Sequence, residues 1–575
     1  MFRSWLHQLF ARPTRTPRRL AVGKPCIEIL EDRSCPSATL NLLANGVLQF
    51  NGGGVEDVVG VSYNPSTTTY TFRDLTEQIT SPGGTGEFAS ISAQGVTSIE
   101  INASDVYNVF YVSSINQSLV YNGGAGSDIL MLGPGGDDPN GVLNAPVSFH
   151  GGGGYDTLSV NDYPAPAMNH VYTMQGGSIS RDNTLVATYD ASAEFIRLNT
   201  SKGDEVVNVT GTTANAYTQI TLQPVGVNSV IVGNAADTLD DMHGLLLVDT
   251  AAQPTSTNLV LNDSGSNAGH TYTLSTWGDQ SAPATEFQRD GQDLVNAGTL
   301  LSLTLNTGAG NDAVNLWDNA PGLNTSINTG AGDDVVKVGD PYRGLDYVGG
   351  NITDDGGSHI LGDELIVDDT HAAASQQYAL QQFEIDRAGA AAIHNQNFQT
   401  LEIDTTQHGA FFNATSAPFN TLITVNMWNQ SGDTLIGGNA HNDYYLTGAN
   451  QGYLIALGSP VYFNGVSNID GWLGKDTIHF SDAGSLSGNA TGNTAGYETL
   501  DYSACTGDVK VNLATHTASK VGGSVLLFEN VIGGQANNLL VGDGPPMIWS
   551  AATATTSSSA VTERTTSRAA PAMTS

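Results

Sequence analysis

Residues Asn306 to Asn319 read NTGAGNDAVNLWDN, and Asn328 to Asp340 read NTGAGDDVVKVGD, 22 residues later. A near-copy at that spacing makes the segment a structural unit laid down more than once, and a unit this short cannot bury a hydrophobic face alone. It must stack on its neighbours. The same grammar recurs elsewhere. Five segments place an Asp at each end of a six-residue step: Asp156 to Asp162, Asp312 to Asp318, Asp334 to Asp340, Asp363 to Asp369 and Asp476 to Asp482. In each, the second and fourth residues after the first Asp are apolar: Leu158 and Val160, Val314 and Leu316, Val336 and Val338, Leu365 and Val367, Ile478 and Phe480. Alternation with period two is the pattern of a half-buried strand.

A longer period overlies this one. TYTF at Thr69, VYTM at Val171, TYTL at Thr271 and QYAL at Gln377 stand 102, 100 and 106 residues apart between their tyrosines. The later three copies are followed by Arg181, Arg289 and Arg387 in turn-like contexts, and strands beginning near Ile99, Ile196, Leu303 and Leu401 complete four diverged blocks over roughly residues 55 to 440. Tyr and Arg that recur in successive blocks behave as packing residues; a single active site would occur once.

These periods predict an all-β chain: a parallel β-helix or β-solenoid built from diverged repeats, with one coil per 22 or 28 residues. Tandem β-sandwich domains, one per long block, are the alternative. The expected organisation is a basic N-terminal targeting segment at 1–38, a solenoid at 39–440, a further repeat-like β region at 441–545, and a disordered tail at 546–575, where Ser, Thr and Ala replace the acidic β pattern.

Charge narrows the function classes. Seven of the 20 basic residues lie at or before Arg33 against three acidic ones, which leaves 13 basic and 53 acidic residues for the rest of the chain. Such a body repels nucleic acid and attracts cations. No stretch approaches the ~20 apolar residues that span a bilayer, and the N-terminus lacks the ~7–15-residue apolar core of an ordinary signal peptide. The three cysteines, Cys26, Cys35 and Cys505, form no Cys-x-x-Cys pair. Cys26 and Cys35 either close a small disulfide loop in an exported chain or leave with the N-terminal segment. Closely spaced His pairs are absent, so a zinc site has no sequence support.

Two segments fit Gly-Gly-x-Gly-x-Asp in full: GGAGSDIL with Gly124, Gly126 and Asp128, and GGGGYDTL with Gly152, Gly154 and Asp156. Two lack only the first Gly: TGAGNDAV with Gly308, Gly310 and Asp312, and TGAGDDVV with Gly330, Gly332 and Asp334. Looser relatives start at Gly437, Gly471 and Gly533. These segments resemble the hemolysin-type, or repeats-in-toxin, calcium-binding nonapeptide. Tyr497 to Gly544 resembles the segment that often accompanies it in bacterial exported proteins. The N-terminal IEILEDRSCPS resembles the Leu-Glu-x-Arg-type segment of large bacterial surface and exported proteins.

The resemblance implies Ca²⁺ as the bound ion, an extracellular or cell-surface location, and a structural or adhesive role, with surface polysaccharide or other surface proteins as candidate partners. The chemistry is consistent with that: glycine turns direct carbonyl oxygens to one side, and the following Asp adds a carboxylate to an all-oxygen environment. One turn supplies about half of the 6–8 ligands Ca²⁺ takes, so a second turn must face the first. In the family the repeats run in tandem; here they are isolated, so the expected pairs are Asp128 with Asp156 and Asp312 with Asp334 on stacked coils. The two Asp residues within one unit lie roughly 20 Å apart along an extended strand and cannot share an ion. The bland reading of the same residues is a turn and a strand in which Asp bonds to backbone, which gives a metal-independent structural array. A carbohydrate-active β-helix enzyme is the remaining alternative. Its candidate acidic pairs, Asp354 with Asp355 and Asp368 with Asp369, are of a kind that loops carry for solvation, and no nucleophile elbow or phosphate loop is present. The chain is therefore expected not to be an enzyme.

Overall fold

The computed structural model describes residues 37–133, 143–163, 168–250, 257–277, 283–416, 420–456, 460–494 and 497–544, and the backbone of three short strands after them. The expected N-terminal segment, with Cys26 and Cys35, and most of the tail lie outside the described residues. Among those residues there is no helix, and hence none long and apolar enough to cross a membrane.

The fold is a β-solenoid. Each coil contributes one strand to each of two parallel ladders. In the first, Val47–Asn51, Ser98–Asn102, Leu119–Gly124 and Val147–Gly152 pair in order; in the second, Val58–Asn64, Asn108–Val112, Asp128–Leu132 and Thr157–Asn161 do the same. The 22-residue repeat is one coil: Ala313–Leu316 pairs with Val335–Val338, and Ser302–Asn306 with Asn324–Asn328. A row of antiparallel sandwiches would not give this parallel register. The alternating apolar residues point inward, and Leu158, Val160, Val314, Leu316, Val336, Val338, Leu365, Val367, Ile478 and Phe480 are all buried in one continuous core. That core is aromatic near its N-terminal end, where Phe72, Phe50, Phe110, Tyr121 and Phe149 contact in sequence at centroid distances of 5.3–5.7 Å.

The ~100-residue period has a different origin. VYTM begins a three-stranded antiparallel meander, Val171–Gln175, Ser178–Arg181 and Thr184–Tyr189, inserted into the first ladder. Its last strand pairs back onto Val147–Gly152 and its first pairs forward onto Val206–Val209. Three is an odd number, so the insertion leaves the parallel direction of the stack unchanged. TYTL opens an equivalent meander in the second ladder, and the segment around QYAL one in the first. Successive blocks therefore land on opposite faces.

Each of these three meanders is tied down by the same clasp. The Tyr172 hydroxyl donates to Asp162 at 2.8 Å, that of Tyr272 to Asp263 at 2.6 Å and that of Tyr378 to Asp369 at 2.6 Å. Arg181, Arg289 and Arg387 pair with those same carboxylates at 2.7, 3.0 and 3.0 Å. The recurring Tyr and Arg are packing residues, as their repetition predicts.

Candidate functional site

The Gly-x-Gly-x-Asp segments form the corners by which the chain passes from the first ladder to the second. Gly124 lies opposite Gly152 in the parallel register. A Cβ on Gly152 would lie 1.9 Å from the Gly124 carbonyl oxygen, and one on Gly330 2.3 Å from that of Gly308. Gly154 and Gly332 meet the carbonyls of Gly126 and Gly310 in the same way, at 2.4 and 2.2 Å. Corners on successive coils thus touch backbone to backbone, which only glycine permits. Gly152 and Gly330 also have φ of 98° and 83°, in the left-handed region.

The Asp residues that follow do stand above one another, and they are joined directly. The Asp312 backbone N–H donates to Asp334 Oδ1 at 2.7 Å, and the Asp128 N–H to Asp156 Oδ1 at 2.7 Å. The pattern continues through residues that the motif does not contain. Asp156 N–H donates to Glu194 at 2.7 Å, Asp334 N–H to Asp363 at 2.8 Å, and Asp363 N–H to the Gln399 amide oxygen at 2.7 Å. At the N-terminal end Asp57 N–H donates to Asn108 Oδ1 at 3.1 Å, and Asn108 N–H to Asp128 Oδ1 at 3.0 Å. A third run links Asn442 to Asp476, Asp476 to Glu498 and Glu498 to Glu529 at 2.7–2.9 Å. Asp, Glu, Asn and Gln all occupy the position. What they share is a side-chain oxygen that accepts a buried N–H from the preceding coil.

The second carboxylate oxygen turns back into its own corner. A Cβ on Gly123, Gly151 or Gly471 would meet Oδ2 of Asp128, Asp156 or Asp476 at 2.4–2.6 Å, which is why the motif begins with glycine. Where Thr307 and Thr329 replace that glycine, their hydroxyls donate to carbonyl oxygens of the next coil, Thr307 to Thr329 at 2.6 Å and Thr329 to Gly356 at 2.8 Å. Oδ2 of Asp128, Asp156, Asp334 and Asp476 has no hydrogen-bond partner; Asp312 Oδ2 accepts from Gly308 N–H at 3.3 Å. Burial pushes these groups up, Asp128 to about 7, Asp156, Asp334 and Asp476 to about 6, and Glu498 to about 7, since the charged form loses hydration. Asp312 and Asp363 are raised for the same reason.

The opposite ends of the second-ladder strands differ. Several of the few cations are placed on this end. Arg343 pairs with Asp318 at 3.0 Å and Asp340 at 2.6 Å, Arg181 with Asp162, and Arg387 with Asp369, while Lys520 donates to the Asp482 carbonyl at 2.7 Å. The adjacent acidic pairs separate across their strands. Asp354 is buried while Asp355 accepts from Gln396 and Asn397, and Asp368 pairs with Lys337 whereas Asp369 serves the Tyr378 clasp. Neither forms two carboxylates facing one space.

One cluster escaped the sequence reading. Asp57, Asp74 and Glu77 bring carboxyl oxygens within 4.8 Å of one another. Burial, then the nearby Glu77 and Asp74, pushes Asp57 up to about 8. The signal was present in NGGGVEDVV, a corner with Val55 in place of one glycine, but its two partners lie 17 and 20 residues on, at the end of the strand that carries TYTF and in the loop after it. No protein-family model and no curated protein matches this chain.

Proposed function

We propose that this chain is a structural or adhesive β-solenoid of the cell surface or extracellular space, whose buried corner side chains act first as clasps between successive coils. The observation that carries this reading is the interchange of Asp, Glu, Asn and Gln at one buried position with one hydrogen-bonding task. A clasp requires only the acceptor oxygen, which all four residue types supply, whereas a Ca²⁺ site draws its charge from carboxylates. The acidic exterior and the resemblance of the N-terminal segment to those of bacterial surface proteins favour an exposed location, with polysaccharide or other surface proteins as partners.

A second reading, Ca²⁺ held between corners, draws support from the unpartnered Oδ2 atoms of Asp128, Asp156 and Asp334. Buried carboxylates without a cation beside them favour either a proton or a bound ion. Thermal melting of the full chain with Ca²⁺ or with chelator separates the two readings when repeated on Asp312→Asn/Asp334→Asn. The clasp predicts that the double variant melts close to the parent and responds equally to Ca²⁺. Loss of a Ca²⁺-dependent rise in Tm in that variant would establish the corners as ion sites.

A further inference from the structure

The carboxylate ladder has an N-terminal end, and the chemistry there differs from that of every other rung. Asp128 and Asp156 each accept an N–H from the preceding coil. Asp57 immediately precedes the first second-ladder strand and is fully buried, yet its Oδ1 has no partner; the one donor that reaches its Oδ2 is the Ser104 hydroxyl, at 3.3 Å. That hydroxyl has one proton and two other acceptors nearer, Val55 O at 2.8 Å and Asn108 Oδ1 at 2.9 Å.

Two further acids close on Asp57 from the hairpin that covers this end. Asp74, also fully buried, accepts from Thr76 N–H at 2.9 Å and the Thr76 hydroxyl at 2.6 Å through Oδ1, and its Oδ2 is unpartnered. Glu77 accepts the Gly53 N–H at 2.8 Å through Oε1, and its buried Oε2 is unpartnered. These local bonds fix the three side chains in place and leave one oxygen on each without a partner. The charged groups acting on Asp57 are Asp74 and Glu77, both anionic.

We propose that Asp57, Asp74 and Glu77 bind a hard divalent cation of the calcium class. Ligand oxygens at ~2.3–2.6 Å from Ca²⁺ stand at most about 5 Å apart across the ion, and the three carboxyls offer atoms within 4.8 Å of one another. The donor set is oxygen only, with neither imidazole nor thiolate, which selects against zinc and copper. The site joins the first corner, the hairpin strand Thr69–Asp74 and the loop after it, so an ion there would fasten the N-terminal cover to the stack. It is separate from the glycine corners and does not depend on them.

The test is calorimetric titration of Ca²⁺ into chelator-treated full-length protein, with Glu77→Gln, Asp74→Asn and the corner variant Asp312→Asn/Asp334→Asn. The expected result is one binding event weakened at least about tenfold by Glu77→Gln and by Asp74→Asn, as loss of ligand charge requires, and unchanged in the corner variant. Glu77 is only half-buried, so Glu77→Gln decides the matter if Asp74→Asn fails to fold. Equal affinity in parent and Glu77→Gln, or no binding to the parent, would overturn the proposal and leave a carboxyl cluster sharing protons. Tighter binding of Mg²⁺ than of Ca²⁺ would overturn the assignment to the calcium class.

Discussion

The backbone N–H of Asp312 donates to the carboxylate of Asp334 at 2.7 Å across one coil step of 22 residues. Both residues are buried, so this bond satisfies a donor that water cannot reach. Asn306 and Asn328, which open the same two repeats, are joined by a hydrogen bond from the Asn328 side-chain amide to Asn306 Oδ1 at 2.8 Å. The duplicated sequence thus encodes two rungs at the two ends of one corner.

If the acceptor oxygen matters more than the charge, substitutions at Asp334 should divide by chemistry. Asp334→Ala leaves the Asp312 N–H buried and unpaired, a loss of about 1–3 kcal/mol. Asp334→Asn keeps the acceptor and removes a charge that burial disfavours, so its stability at pH 7 should lie within about 1 kcal/mol of the parent. Urea unfolding of the two variants checks this; equal destabilisation by both would show that the charge is required.

The corners should reject any side chain at the stacked glycines. Gly152→Ala sets a Cβ against the Gly124 carbonyl at 1.9 Å and imposes strain at a φ of 98°. A loss of about 3 kcal/mol or more is expected, since backbone must move to relieve it. Gly322→Ala is the control: its φ of 83° is similarly unfavourable, but a Cβ there meets nothing within 4 Å. Strain alone costs about 1–2 kcal/mol. The difference between the two melts measures the stacking contact.

How much of this was legible follows from where each constraint resides. The strand interiors were readable because burial on one face forces period two, and Leu158 or Val336 can only point inward. The coil length was readable because Asp312 and Asp334 occupy equal positions in a copied unit. The ladder partners Glu194, Asn108 and Glu498 were not, because the position selects an acceptor oxygen and several residue types supply one. The Tyr and Arg of the long repeat were recognised as packing residues, but their shared Asp was not, since Asp162, Asp263 and Asp369 precede the tyrosines by 9 or 10 residues in otherwise unlike contexts. Alternation of the blocks between the two ladders leaves no sequence trace at all: a meander looks the same on either face.

Asp354 should make the protein less stable as pH rises. It points into the core between Ile327 and Asn395 on the neighbouring coils, and neither of its carboxylate oxygens has a partner. Burial pushes it from 3.8 up to about 8. Below about pH 4 it is protonated whether folded or unfolded, and its neutral form is tolerated. Between about 4 and 8 the unfolded chain releases the proton while the folded chain keeps it, so stability falls across that window and levels off above it. Asp354→Asn removes this titration, and Asp354→Leu also fills the core. Both should gain on the order of a few kcal/mol over the parent at pH 8 and much less at pH 4. A gain independent of pH would mean that the carboxyl is not the source.

His479 should shift stability in the same direction as pH rises, but because the fold favours its charged form. Its Nδ1 lies 2.9 Å from Asp501 and its Nε2 3.1 Å from Asp443, while its ring stacks on Tyr445 at 4.3 Å. Partial burial opposes the charge, but the two carboxylates on either side outweigh it and raise the imidazole above 6.5. The charged form is therefore held by the fold. Its stabilising contribution is complete below pH 6.5 and is lost as pH rises through the raised folded value. The imidazole carbon protons, followed by NMR from pH 5 to 9, should titrate above 6.5. Asp501→Asn, which removes one carboxylate without removing the contact, should move that midpoint downward. A midpoint at or below 6.5 in the parent would show that burial prevails over the flanking charges.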